Sequence, residues 1–281
     1  MTASEQARRA ETFRQRHHQA PLLLLPNAWD ALSARLFVTA GFAAVATTSG
    51  GLAWALGYPD GEQAPWPDVV AATARIVRVA GAVPVTADIE AGYAETPEAL
   101  MRSIGEIIAV GAVGINLEDG IPRDHAAPLR PVAEAATRIR AACEAARTAG
   151  VPIVVNARTD LYLRPTTDEA ARFAETVARG RAYLAAGADC IYPIGLRDPA
   201  TIARLVKELA APVNIVFRAG APFVAELAEL GVARVSTASG LTLAAMAAIR
   251  GTAAALHATG RIEPPAGMPS HAEAQGLFAL D

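Results

Sequence analysis

Eight short apolar runs alternate with eight helical stretches along this chain, and few folds accept that pattern. The runs finish at Asn27, Thr47-Thr48-Ser49, Asp88-Ile89-Glu90, Glu118-Asp119, Arg158-Thr159-Asp160, Tyr192, Arg218 and Ser236-Thr237. Repeated β-then-α units make a parallel sheet, and eight of them predict a closed (β/α)8 barrel of TIM type. Such a barrel places its site where the carboxyl ends of the strands converge. Nearly every run here ends in residues able to hold a cation or an acid.

The 281 residues suit one barrel domain over 1–281, with an N-terminal helix and a C-terminal tail after Arg261. No Ser/Gly-rich or Pro-rich linker divides the chain. The strands are expected at 22–26, 42–48, 83–88, 114–118, 153–158, 190–193, 213–217 and 233–236. Residues 50–67 and 120–130 read as long loops, which inside a compact domain are usually functional.

A net charge of −3 with mixed signs, and no Lys/Arg cluster, argues against nucleic acid as a partner. Cys143 falls in a helical pattern and Cys190 in an apolar run, so both read as buried thiols. The start is polar and helical, unlike a signal peptide. No apolar run approaches the roughly 20 residues that span a bilayer. A soluble cytoplasmic protein without membrane attachment is expected.

Asp88 and Glu90 stand two apart, and in a strand such residues share a face. Side-by-side carboxylates repel unless a cation or proton joins them. Glu118-Asp119 ends the next strand, about 5 Å away. Oxygen ligands without histidine or thiolate favour Mg2+ or Mn2+. Arg158 ends an apolar strand, and its planar fork suits a carboxylate bidentately. A structural ion pair with Asp160 or Glu118 is an equally good reading of that arginine.

Thr47-Thr48-Ser49-Gly50-Gly51 is a small-residue turn whose backbone N–H groups could form an anion nest. Taken alone, a plain turn explains it as well. Asp60 sits in Pro59-Asp60-Gly61, which is ordinary turn chemistry within the first long loop. His125, in the second, is the candidate acid/base side chain there, set against a solvated surface histidine. Ser49 has no His/Asp partner at a spacing that suggests a serine-hydrolase triad.

As an ordered set these motifs resemble the isocitrate lyase/phosphoenolpyruvate mutase superfamily. The matching segments are 25–30, 48–52, 56–60, 88–93, 117–119 and 156–160, spread over roughly residues 20 to 250. The resemblance implies a barrel whose last helix is exchanged with a neighbour, in homodimers or homotetramers. It implies Mg2+ bound directly by Asp88, with Asp60, Glu90 and Glu118 holding its waters. It also implies that Ser49, Gly50, Gly51 and Arg158 grip the carboxylate of a 2-oxo acid. Members of this superfamily make or break a bond at C3 of a pyruvate-like unit through an enolate.

The chain also departs from the pattern. Lyases of the superfamily carry a Lys-Lys-Cys-Gly-His-type loop after strand four, whereas residues 120–128 here contain no cysteine. No basic phosphoryl-binding loop of the mutases is matched either. Tyr192-Pro193 stands where members often place histidine or glutamate. These departures favour decarboxylation or C–C cleavage of an oxaloacetate-like acid, which leans less on acid catalysis. A non-catalytic 2-oxo acid binder and a phosphonopyruvate- or oxaloacetate-type hydrolase are the alternatives.

Overall fold

The computed structural model describes residues 2–124, 127–262 and 266–279. Its strands are β1 (Leu23–Leu25), β2 (Asn27–Ala28), β3 (Val45–Thr47), β4 (Val85–Asp88), β5 (Gly114–Glu118), β6 (Val154–Thr159), β7 (Cys190–Pro193), β8 (Asn214–Val216) and β9 (Arg234–Ser236). All pairs are parallel. One sheet runs β1-β9-β8 and the other β2-β3-β4-β5-β6-β7. Pro26 separates β1 from β2, because proline has no N–H to give a ladder. A bridge between Ile191 and Val213 joins β7 to β8 and closes the ring. The barrel is therefore of TIM type, as the alternating pattern predicts.

Helices α1 (Ala3–Gln15), α2 (Ala31–Thr39), α3 (Ser49–Leu56), α4 (Trp66–Ala80), α5 (Pro97–Ala109), α6 (Val132–Ala149), α7 (Glu169–Ala185), α8 (Pro199–Leu209), α9 (Val224–Glu229), α10 (Gly240–Thr259) and α11 (His271–Gly276) complete the chain. Local chemistry starts several of them. Asp30, Thr96, Asp168 and Asp198 each accept a backbone N–H of the first turn. Pro97 and Pro199 occupy first-turn positions where no donor is lost.

Helix α1 lies against the amino-terminal end of the barrel. Gln6 donates to the carbonyls of Ile108 (2.7 Å) and Ala112 (2.9 Å), and Ala10 and Phe13 are fully buried. The barrel interior carries polar side chains rather than an all-aliphatic filling. Asn116 Oδ1 accepts from Asn156 Nδ2 (2.8 Å) and from the fully buried Arg234 (3.2 Å). These layers support the mouth from below.

Two expectations need correction. Residues 50–56, predicted as loop, belong to α3. The run Leu52-Ala53-Trp54-Ala55-Leu56 is helix-forming, and Leu52 and Ala53 bury against Ala64, Val69 and Ala72. The loop proper is therefore shorter, 57–65. The expectation of no bilayer-length apolar run also fails. Helix α10 has 20 residues and contains an 18-residue window of mean hydropathy 1.3, enough by length and composition to cross a membrane. One such helix is weak ground for a membrane. Only 6% of that window is buried.

Candidate active site

The register of the sheet places the candidate residues side by side. Glu118 on β5 pairs with Arg158 on β6, which pairs with Tyr192 on β7. Asp88 on β4 pairs with Asn116, two residues below Glu118. Side chains in register share a face. Glu118, Arg158 and Tyr192 thus meet at the carboxyl-terminal mouth.

Arg158 is held by acids on two sides. Its Nε and Nη2 lie 2.7 and 3.0 Å from the two oxygens of Asp160, and Nη1 lies 2.6 Å from Glu118. Both readings of this arginine meet here: it stands in the mouth and it is ion-paired. A guanidinium carries five N–H donors, so capacity remains for a ligand. Burial pushes the Glu118 carboxyl well above its ordinary range, with Arg158 opposing and Asp160, Asp88 and Glu90 adding to the rise.

Asp88 is half-buried. Its Oδ2 accepts from the Ser49 N–H at 3.3 Å, and its backbone N–H donates to Thr47 Oγ1 at 2.8 Å. Oδ1 is buried without any hydrogen-bond partner. Burial raises the Asp88 carboxyl, Arg158 opposes, and Asp60 adds to the rise. Buried polar atoms normally find partners, so this orphan oxygen marks a place for one.

Glu90 reaches the same region by a different route than strand alternation. Strand β4 stops at Asp88, and Glu90 adopts a left-handed φ of 54°. The turn tightens through a bond from the Gly92 N–H to the Ile89 carbonyl, 2.7 Å. Any Cβ on Gly92 would strike Leu100, so only glycine fits. Both Glu90 oxygens accept from the Glu62 N–H at 3.0 Å, and Oε1 accepts from the Tyr93 hydroxyl at 3.2 Å. Burial, then the charge of Asp60, lifts the Glu90 carboxyl to about 8.

Loop 57–65 borders this mouth. A Cβ at Gly50 would lie 3.0 Å from Asp60 Oδ2 and 3.1 Å from Ser239 Oγ. A Cβ at Gly51 would come within 2.5 Å of the Thr242 hydroxyl. The small residues therefore permit close approach of α3 to the loop and to α10. Ser49, Gly50 and Gly51 form the first turn of α3; the Ser49 N–H already meets the Asp88 carboxylate, and a helix start of this kind favours an anion. Glu62, not singled out by sequence, latches the loop. Its Oε1 accepts from the Tyr93 N–H at 2.8 Å, and its carbonyl accepts from Arg123 at 2.6 Å.

Asp119 does not join the acids of the mouth. It is 1% exposed and accepts from Asp160 N (3.0 Å), Arg179 (3.0 Å) and the Tyr183 hydroxyl (2.7 Å). Adjacent strand residues point to opposite faces, so Glu118 and Asp119 part company. The network instead anchors the backbone of Asp160, the clasp of Arg158. His125 lies outside the described residues. Among the described residues, no three His, Cys, Asp or Glu side chains cluster tightly enough to hold an ion directly.

Residues 13–257 match the phosphoenolpyruvate phosphomutase family. An uncharacterized protein of Mycobacterium tuberculosis is 37% identical over 229 residues, covering 81% of this chain and 82% of that protein. Oxaloacetate decarboxylase 1 of Pseudomonas fluorescens is 32% identical over 215 residues, covering 73% and 70%. The structure of an oxaloacetate acetylhydrolase in complex with its product oxalate superposes with a TM-score of 0.86 at 27% identity, covering 96% and 93%.

Proposed function

Because the chain belongs to the phosphoenolpyruvate phosphomutase family, within the isocitrate lyase/phosphoenolpyruvate mutase superfamily, we propose that it is a Mg2+-dependent lyase of a small 2-oxo or 2-hydroxy carboxylic acid. The enzyme is of the carbon–carbon lyase/mutase type. Within that type we favour decarboxylation or C–C cleavage of an oxaloacetate-like acid. Two relatives named for oxaloacetate chemistry support this choice.

The observation that carries the reading is the orphaned Oδ1 of Asp88 beside Asp60, Glu90 and Glu118. An oxygen-only donor set suits Mg2+ or Mn2+. Direct binding by Asp88, with Asp60, Glu90 and Glu118 reaching through water, accords with side chains that do not cluster tightly. When bound, the ion supplies positive charge beside the substrate's 2-oxo group, where negative charge develops. Arg158 and the N–H groups of Ser49, Gly50 and Gly51 hold and orient the carboxylate. Tyr192, whose phenol burial pushes up to about 12, stays protonated beside Arg158 and keeps a donor at the mouth.

The outward side chains of α10, Leu243, Met246, Ile249 and Leu256, are exposed and apolar. A homodimer or homotetramer that exchanges this helix covers them, and we place the protein in the cytoplasm. The activity is tested by offering purified protein oxaloacetate, methylisocitrate, dimethylmalate and phosphonopyruvate, with Mg2+ and with EDTA. Mg2+-dependent turnover of the oxaloacetate-like acid is expected. No Mg2+-dependent turnover of any of the four removes the proposal.

A further inference from the structure

Beside the mouth lies a second cavity that the catalytic acids do not line. It encloses about 430 Å3 between the residues that follow β8 and the first turn of α10. Phe217, Ala221, Phe223 and Leu241 give it apolar walls, and Arg218 gives it charge. That volume is of ligand size.

The charge is uncompensated. The Arg218 side chain makes no hydrogen bond or ion pair among the described residues, and its Nε is buried without a partner. Arg197 stands close enough to depress the Arg218 guanidinium further, after burial. Arg197 Nη1 donates to the Ala219 carbonyl at 3.5 Å and lies 3.6 Å from where a Cβ on Gly220 would sit. Two like charges converge at one end of an apolar cavity, with no carboxylate paired to either among the described residues. The partly desolvated Arg218 guanidinium, with the exposed Arg197 beside it, calls for an anion.

Residues that line the cavity neighbour those of the site. Thr237 lines it and exchanges hydrogen bonds with Asn27 at the end of the first barrel strand. Gly240 lines it next to Ser239, whose hydroxyl lies 2.8 Å from that of Thr48, beside Ser49. Tyr192 lies within electrostatic reach of both Arg158 and Arg218.

We propose that this cavity seats the far end of the substrate, an apolar arm on the 2-oxo acid that ends in an anionic group held by Arg218, with Arg197 behind it. The inference rests on the acid-lyase reading above and narrows it. The preferred substrate is an acid longer than oxaloacetate, with its second carboxylate or similar anion separated from the 2-oxo acid by an apolar chain.

Calorimetric titration in Mg2+ tests it with three probes: oxalate, 2-oxoadipate, and 2-oxohexanoate, which replaces the far carboxylate by a methyl group. The wild-type chain is expected to bind 2-oxoadipate about ten- to hundredfold more tightly than 2-oxohexanoate, the range for one charged hydrogen-bonded contact. Arg218→Met levels the two and leaves oxalate affinity unchanged, which also shows that the variant is folded. Arg197→Met gives the same effect in smaller measure. Equal affinities for the two longer acids, with oxalate still bound, overturn the far-end subsite and leave the acid-lyase reading standing. So does a loss of oxalate and 2-oxoadipate binding in equal proportion in Arg218→Met. If oxalate itself does not bind, both readings fall.

Discussion

Arg158 lies side-on against Asp160, with Nε and Nη2 each meeting one carboxylate oxygen, while Glu118 takes Nη1. All three side chains are nearly buried, so the clasp is a rigid, mostly desolvated unit. Arg158→Ala removes the proposed acid grip and is expected to weaken oxalate binding by about 3 kcal/mol, read by calorimetry. Arg158→Lys keeps the charge but not the fork, and recovers only part of the affinity. An Arg158→Ala protein that binds oxalate as the wild type does would remove the arginine from the site.

Asp88→Ala is expected to abolish Mg2+-dependent turnover and to weaken Mg2+ binding by at least about tenfold. The second readout does not depend on knowing the substrate. Unchanged Mg2+ affinity would refute Asp88 as the direct ligand.

Glu90 gives the metal-free chain an unusual pH response. Its carboxyl titrates near 8 when folded, against 4.5 for an ordinary glutamate. Between those values the folded chain holds a proton that the unfolded chain has released. Stability therefore falls as pH rises through this window, with a limiting slope of about 1.4 kcal/mol per pH unit. Urea unfolding in EDTA from pH 5 to 8.5 should show the decline, and Glu90→Gln should flatten it. Mg2+ binding requires the ionised carboxylate, so it tightens over the same range and releases protons.

His17 acts with the opposite sign. Burial, then the charge of Arg234, lowers its imidazole from 6.5 to about 3. Nδ1 lies 2.9 Å from the Phe13 carbonyl, and Nε2 is buried without a partner. Below 6.5 the unfolded chain takes a proton that the folded chain refuses. Stability is then lost as pH falls toward 3, by about 1.4 kcal/mol per unit. The difference in unfolding free energy between wild type and His17→Gln, measured from pH 7 to 4, isolates this contribution from that of Glu90. A pH-independent difference would show that His17 is not held neutral.

The barrel was legible because its signal is a period repeated along the chain, and each strand end repeats it. Arg158 and Asp88 were legible because a charged residue ending an apolar run has few places to go. What sequence hid was local geometry that departs from period. Glu90 meets Asp60 and Asp88 through a left-handed turn, not through strand alternation. Helix α3 was masked by Gly50 and Gly51, which signal a turn but here serve close packing. Asp119 reads as a partner of Glu118, yet alternation sends it to the other face. The Arg179 and Tyr183 pair, four apart on α7, was the signal that could have claimed it. Arg218 ends its run as openly as Arg158 does, but only the cavity shows that it has a use.

Glu90 also fastens loop 57–65, through the N–H of Glu62, and accepts the Tyr93 hydroxyl besides. A carboxylate offers about four lone-pair positions, and those contacts already draw on both oxygens. Cation capture and the tether of the loop are thus rival claims on a single side chain. Whatever pulls Glu90 toward the barrel axis slackens the hold on loop 57–65, so filling the cation site and fastening that loop are coupled by one shared residue.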